Sequence, residues 1–436
     1  MNRFAFVRGV MSLIMICLLW LLMSLENLDL FLNFSLIFIA FLTFFQIKKS
    51  GILAPSTIVF VTALPYFLTA IYNSFIYKDY SFSLEKTNAS LILYSFIFFG
   101  SFIFFDSYLN RIKTIELDFR KKIKPIIVFL IYGVIVLVYI TMVSISFSLD
   151  IGSVTRADIY KSKSTFFDVY KLFVYSFSVF YIWFIICIEE KKGKLLLFWL
   201  LPLILFSATD ILILGDRKLA ILLFIICAYT INVKRRINPV YIGYGFIFAL
   251  LMWVYGYLRN TSFSEWGAIL SELDYGTAFS PDKSEFGAFS IVWNDYFSRY
   301  SSVQMQPTYL ETFAQIVPTF IFPSRPISPS VNFVKEFYPD IYNSGGGLAF
   351  NAILESMMNF NIFGPIAFAF LIVFFSKFYN KSHFGVLLGA IYIFCFSFTL
   401  RNDMISNLRT FFILSVVVSM CILIFCRVGK SRLGGN

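Results

Sequence analysis

The chain has 436 residues, of which 59% are hydrophobic and only 14% are charged. Soluble domains carry about 25% charged residues, so a soluble globular protein is excluded. The formal net charge of +11 is spread over short loops between apolar blocks rather than gathered on one polar surface, so no nucleic-acid partner is expected.

Taken in chain order, the apolar residues fall into twelve blocks of roughly 20 residues, the length a helix needs to cross a bilayer. They run over about 9–27, 29–47, 52–76, 88–109, 123–147, 168–188, 194–213, 217–232, 238–258, 360–376, 383–400 and 408–426. The first follows Arg3 and Arg8 as a signal peptide would. No small-x-small cleavage site follows it, and the next block begins at once, so it reads as a retained anchor. The six cysteines all fall in apolar blocks and suggest neither a disulfide framework nor a CxxC metal site.

With the N-terminus placed inside and the sides alternating, the inside segments are 1–8, 48–51, 110–124, 189–194, 233–237, 377–382 and 427–436. These hold more than half of the 36 Lys and Arg, and their acids, with Asp106 at the membrane edge, are Asp106, Glu116, Asp118, Glu189 and Glu190. This positive-inside asymmetry predicts an even number of spans with both termini cytoplasmic.

The expected organisation is nine spans in 1–258, one large outside loop in 259–359 and three spans in 360–436. A loop of that size signals function more often than mere connection. It carries amphipathic pieces at 264–273 and 286–300, then the tract PTFIFPSRPISPS (318–330), whose prolines disfavour helix and predict a stiff, extended path. Trp, Tyr and Phe are dense in it. Such rings serve as interfacial anchors or as stacking surfaces for sugars.

Ionisable residues at a membrane edge are costly and often functional. Arg217, in LILGDRKLAILLFI, opens the eighth block at its outer end. It reads either as a snorkelling flank residue paired with Asp216 or as an anion clamp, since a guanidinium fork matches phosphate oxygens. Arg401, Asp403 and Arg409 cluster in FTLRNDMISNLRTFF, a short outside turn. Arg325, held in the proline-rich tract, and Arg156, in VTRADIYKSK, are further outside cations.

The stretch YNSGGGLAFNAILESMMNFNIFGP (342–365) places one carboxylate, Glu355, in an apolar run. Asn351, Glu355 and Asn359 stand at i, i+4 and i+8, which puts them on one helix face. Gly346 and Gly347 allow close backbone approach and would leave free N–H groups at a helix start, an anion site. Glu355 reads either as a structural carboxylate bonded to an arginine or as a general base beside a bound phosphate. The only histidine, His383, falls on the inside, so an outer-face proton acceptor has to be a carboxylate. Glu355 is best placed, with Asp403 and Asp216 as second choices.

The tract PSRPISPS…GGGLAFNAILESMMNFNIFGP resembles the signature of Wzy-type O-antigen polymerases, in which a proline-rich loop leads to a Gly-rich turn and a Glu-bearing helix ending in Asn-Phe-x-x-x-Gly, here Asn359, Phe360 and Gly364. GDRKLAILLF is similar to a span start found in these polymerases and in O-antigen ligases. The resemblance implies an all-α polytopic membrane glycosyltransferase of GT-C-like fold in the bacterial inner membrane, with its active site on the periplasmic side and no cofactor, nucleotide sugar or metal. It implies transfer of a growing glycan from undecaprenyl pyrophosphate to the non-reducing end of a lipid-linked repeat unit, with a Wzz-type chain-length regulator as a partner. Arg217, Arg401 and Arg325 would neutralise the pyrophosphate leaving group, and Glu355 would be base or acceptor-positioning group. A lipid-linked oligosaccharide flippase or an O-antigen ligase remains as an alternative.

Overall fold

The computed structural model describes residues 28–76, 82–112, 117–146, 165–191, 193–212, 217–235, 286–316, 326–343 and 350–430, with isolated positions elsewhere. Helices α1 (Leu28–Ser50), α2 (Pro55–Ile76), α3 (Phe82–Tyr108), α4 (Pro125–Ser146) and α5 (Thr165–Trp183, extended by a π-helical turn over Phe184–Ile188) follow the second to sixth apolar blocks. The seventh block is two helices, α6 (Gly193–Trp199) and α7 (Leu201–Leu212). They break at Leu200 because Pro202 lacks the N–H that would continue the ladder. Helix α8 (Arg217–Lys234) follows.

Among the described residues, eight helical stretches are long and apolar enough to cross a bilayer, against the twelve expected. The expected spans at 9–27 and 238–258 lie almost wholly outside the described residues; of the other two, the seventh block is split, and α8 carries Arg217, Lys218 and Lys234 at its ends.

Helix α4 shows why this is a membrane protein. Val128, Tyr132, Val136, Tyr139 and Val143 form a stripe buried in the bundle, while Ile126, Leu130, Val134, Leu137 and Ile145 form an exposed one. In water the exposed stripe would be polar. Here Leu137 is 61% exposed and Tyr139 is 0% exposed, yet both faces are apolar, which a hydrocarbon solvent favours and water does not. Hydroxyl bridges join the inner faces: Tyr132 to Ser178 at 2.6 Å, and Tyr181 to the Trp199 carbonyl at 2.6 Å.

One end of the bundle collects the basic segments. Asp106, at the end of α3, binds Lys49 of α1 at 2.8 Å and Lys377 at 2.7 Å. Lys234 reaches Glu190 at 3.6 Å and His383 Nε2 at 2.8 Å, and the Trp183 indole donates to the His383 carbonyl at 2.8 Å. A two-stranded antiparallel ribbon lies here too, the one departure from an all-helical architecture among the described residues. Strand β1 (Leu117–Lys121) pairs with β2 (Cys426–Lys430), with Phe119 opposite Val428. Segments assigned to one face by charge alone are therefore neighbours in space.

The opposite end carries the large loop. Its described part contains α9 (Ala288–Arg299), α10 (Thr308–Ile316), α11 (Pro329–Phe337), α12 (Pro339–Asn343) and α13 (Ala352–Phe360). Helix α9 docks against α3 through Asn294 Nδ2 and Asn88 Oδ1 at 3.2 Å, with Tyr66 of α2 edge-on to Phe286. The proline-rich tract gives way to helix at its last positions. Ser328 caps α11 through the Val331 N–H, and Pro329 occupies the first turn, where its missing N–H costs nothing. The chain then returns through α14 (Gly364–Ser376), α15 (His383–Phe396) and α16 (Met404–Phe425).

The helical stretch leading into the tenth block begins at Ala352, before the expected 360, and is broken at Asn361, whose φ is +52°. A Cβ on Gly364 would stand 2.4 Å from the Ser356 carbonyl carbon, so only glycine lets α13 fold back onto α14. This accounts physically for the glycine of the Asn-Phe-x-x-x-Gly pattern.

Candidate functional site

Glu355 sits at the meeting point of three segments. It is 0% exposed. Thr308 of α10 donates to its Oε1 at 3.1 Å, and the Met404 N–H, at the start of α16, donates to its Oε2 at 2.6 Å. Asn359, one turn on, reinforces the junction: its Nδ2 donates to Thr308 Oγ1 at 2.7 Å and its Oδ1 accepts from the Tyr309 N–H at 2.9 Å. Asn351 caps α13, accepting from the Ile353 and Leu354 N–H groups at 3.0 and 3.1 Å, and donates to the Phe289 carbonyl at 2.9 Å. The polar stripe read from the sequence therefore bonds the large loop to the bundle.

This geometry bears on two expectations. Helix α13 opens at Ala352, and the Asn351 side chain occupies its first donors. The partners of Glu355 are a hydroxyl and a backbone N–H, where the structural reading had expected an arginine. Gly346 and Gly347 lie outside the described residues, as do Arg325 and Arg156.

The turn between α15 and α16 forms the other wall. Phe398 adopts φ +58°, a 3-10 turn follows over Thr399–Arg401, and Asp403 caps α16 through the Ser406 N–H at 2.9 Å. Asp403 is buried beside Glu355 and accepts a hydrogen bond from Ser330 of α11 at 2.7 Å. Arg401 is half-buried in the same turn, while Arg409, further along α16, is exposed. The start of α8 joins the turn through Lys218, whose Nζ donates to Asn402 Oδ1 at 3.2 Å and lies 5.9 Å from the Phe398 ring centroid. Arg217, half-buried, is its neighbour in the first turn of α8. The structure thus joins Asn351 and Asn359 to Glu355 directly, sets Asp403 beside it through the Met404 N–H, and brings Arg401 and the Arg217–Lys218 helix start to the same turn.

Burial and the Glu355 carboxylate, in that order, hold the Tyr309 hydroxyl well above its usual range, so it stays protonated. It finds no hydrogen-bond partner among the described residues, an unused donor near the buried Glu355.

Sequence reading missed two features. Thr308 carries no pattern that points to Glu355. Lys171 and Asp210 form a buried ion pair at 3.1 Å between α5 and α7, with the Tyr139 and Tyr175 hydroxyls donating to the same carboxylate. Their signal was present: each is a charge inside an apolar block, where an unpaired ion is expensive.

These features define a polytopic helical membrane protein with a buried acidic junction beneath a large folded loop. No family model, curated protein or solved structure matches the chain.

Proposed function

We propose that this protein is a repeat-unit polymerase of the Wzy type, a GT-C-like glycosyltransferase of the bacterial inner membrane acting on undecaprenyl-pyrophosphate-linked oligosaccharide at the periplasmic face. The observation that supports it is the meeting of Glu355, Asp403 and the Arg401 turn under the loop, with the cationic start of α8 alongside. In this reading an acceptor hydroxyl attacks the anomeric carbon of the donor glycan. Its proton passes to Glu355, the bond from that carbon to the pyrophosphate oxygen breaks, and the diphosphate leaves as an anion neutralised by Arg217 and Arg401. In this reading the acceptor hydroxyl displaces Thr308 Oγ1, which donates to Glu355 Oε1 at 3.1 Å.

The experiment is a deletion strain complemented with wild-type, Glu355→Gln or Arg217→Ala chains, read on a polysaccharide gel. The reading expects single repeat units on lipid A core in the deletion strain and in both variants, with the variant proteins still inserted. Long ladders with either variant would remove that residue from the site. A second reading, a lipid-linked oligosaccharide transporter, is favoured by the Lys171–Asp210 pair, because buried intramembrane charges often mark transport routes. Loss of even the single repeat in the deletion strain would favour it.

A further inference from the structure

A cleft of about 400 Å³ opens between α9 and α11, bounded below by Met358 of α13. This lies within the range of small-ligand pockets, roughly 300–1,000 Å³. We propose that it is a binding subsite for a neutral sugar ring; assigning that ring to the acceptor's non-reducing end rests on the polymerase reading.

The wall is aromatic and held in place. Phe337 stacks on Phe333 with centroids 4.4 Å apart and planes at 17°, and Tyr300 lies edge-on to Phe337. Phe337 and Tyr300 are half-buried, so part of each ring is accessible. The rim is polar: Gln304, Gln306 and Asn332 are exposed amides that line the cleft, each able to donate and accept. A sugar ring needs this pairing, an apolar patch for its C–H face and two-way partners for its hydroxyls.

Glu336 adds a directed acceptor. Arg299 binds its Oε1 at 3.1 Å and the Tyr300 hydroxyl donates to the same oxygen, which leaves Oε2 as the acceptor for a sugar hydroxyl. The Arg299 guanidinium also lies 5.1 Å from the Phe337 ring centroid, so the charge pair and the aromatic wall fix one another. The Glu336 carboxylate on the lining accepts from a sugar hydroxyl and repels a sugar carboxylate, which suits a neutral ring rather than an acidic one.

The cleft is also connected to the acidic junction. The Gln306 N–H donates to the Met358 carbonyl at 2.9 Å, and Thr308, two residues on, donates to Glu355.

The test is saturation-transfer NMR on the full chain in nanodiscs, with the methyl glycosides of glucose, galactose, mannose, rhamnose, N-acetylglucosamine and glucuronic acid as probes. The wild-type chain is expected to transfer saturation to at least one neutral glycoside, with binding at least fivefold weaker in Tyr300→Ala and in Gln304→Ala, which removes an exposed side chain and keeps the backbone N–H bond to the Tyr296 hydroxyl. Equal transfer in wild type and both variants, no transfer to any neutral glycoside, or preference for the glucuronide overturns the proposal. The Glu355→Gln chain is expected to keep its glycoside binding. A chain that binds sugars through Tyr300 but makes no polymer keeps the subsite and loses the polymerase reading. Polymerisation with no glycoside binding does the reverse.

Discussion

The Met404 N–H donates to Glu355 Oε2 at 2.6 Å, joining the first residue of α16 to the middle of α13 across 49 residues of chain. A buried acceptor with two donors from different segments is a fastener, whatever else it does. Removing it leaves a buried N–H and a buried hydroxyl unpaired, at about 1–3 kcal/mol each.

Glu355→Ala should therefore lower the thermal unfolding midpoint of the detergent-solubilised protein sharply, whereas Glu355→Gln, which keeps an acceptor oxygen, should lower it far less. Equal losses in the two variants would mean that the hydrogen bonds are not what holds this junction.

Gly364→Ala places a methyl group inside the Ser356 peptide. Overpacking of this kind costs about 1–3 kcal/mol, and here the clash is with backbone, which cannot rotate away. The expected result is separation of α13 from α14 and faster hydrogen exchange at the Met404 amide, because Glu355 moves with α13. An exchange rate equal to wild type would show that the close approach is dispensable.

At the basic end, Asp106 is held by Lys377 and Lys49 and receives further bonds from Gln46 and Ser50 at 3.3 and 3.2 Å. Lys377→Met alone leaves a buried carboxylate short of its closest partner, a loss of about 3–5 kcal/mol. Adding Asp106→Asn should recover much of it. A double-variant cycle by thermal unfolding measures the coupling, and strict additivity would show that the pair is not coupled.

Asp295 of α9 accepts from the Tyr338 hydroxyl, and burial pushes its carboxyl above the ordinary aspartate range. The folded chain then binds this proton more tightly than the unfolded one. Its contribution to stability is greatest below the unfolded value, near 4, and declines as pH rises through the folded value. Asp295→Asn keeps an acceptor for Tyr338 and removes the ionisation. The unfolding midpoint of the variant should exceed that of wild type at pH 7, and the gap should close at pH 4. A gap independent of pH would rule out this ionisation as its source.

The spans were legible because a helix in lipid is apolar all round, and α4 needs no tertiary information to be recognised. The Asn351–Glu355–Asn359 stripe was legible for the complementary reason: polar residues at helical spacing in an apolar run need partners. What they bond to was not legible. Thr308 and Met404 lie 47 and 49 residues from Glu355, and nothing local marks either as its partner. Hydropathy averaging also hid the break before Pro202 and the charges at Lys171 and Asp210. The strands LDFRK and CRVGK are too short and too charged to signal a sheet, and their pairing is set by where the helices place their ends.

That ribbon has a consequence for biosynthesis. Its strands are far apart in sequence, so β1 emerges from the ribosome hundreds of residues before its mate and must wait unpaired while the intervening helices are inserted. A product truncated before Cys426 would leave β1 without its mate and present an open strand edge to whatever surveys unfinished membrane proteins.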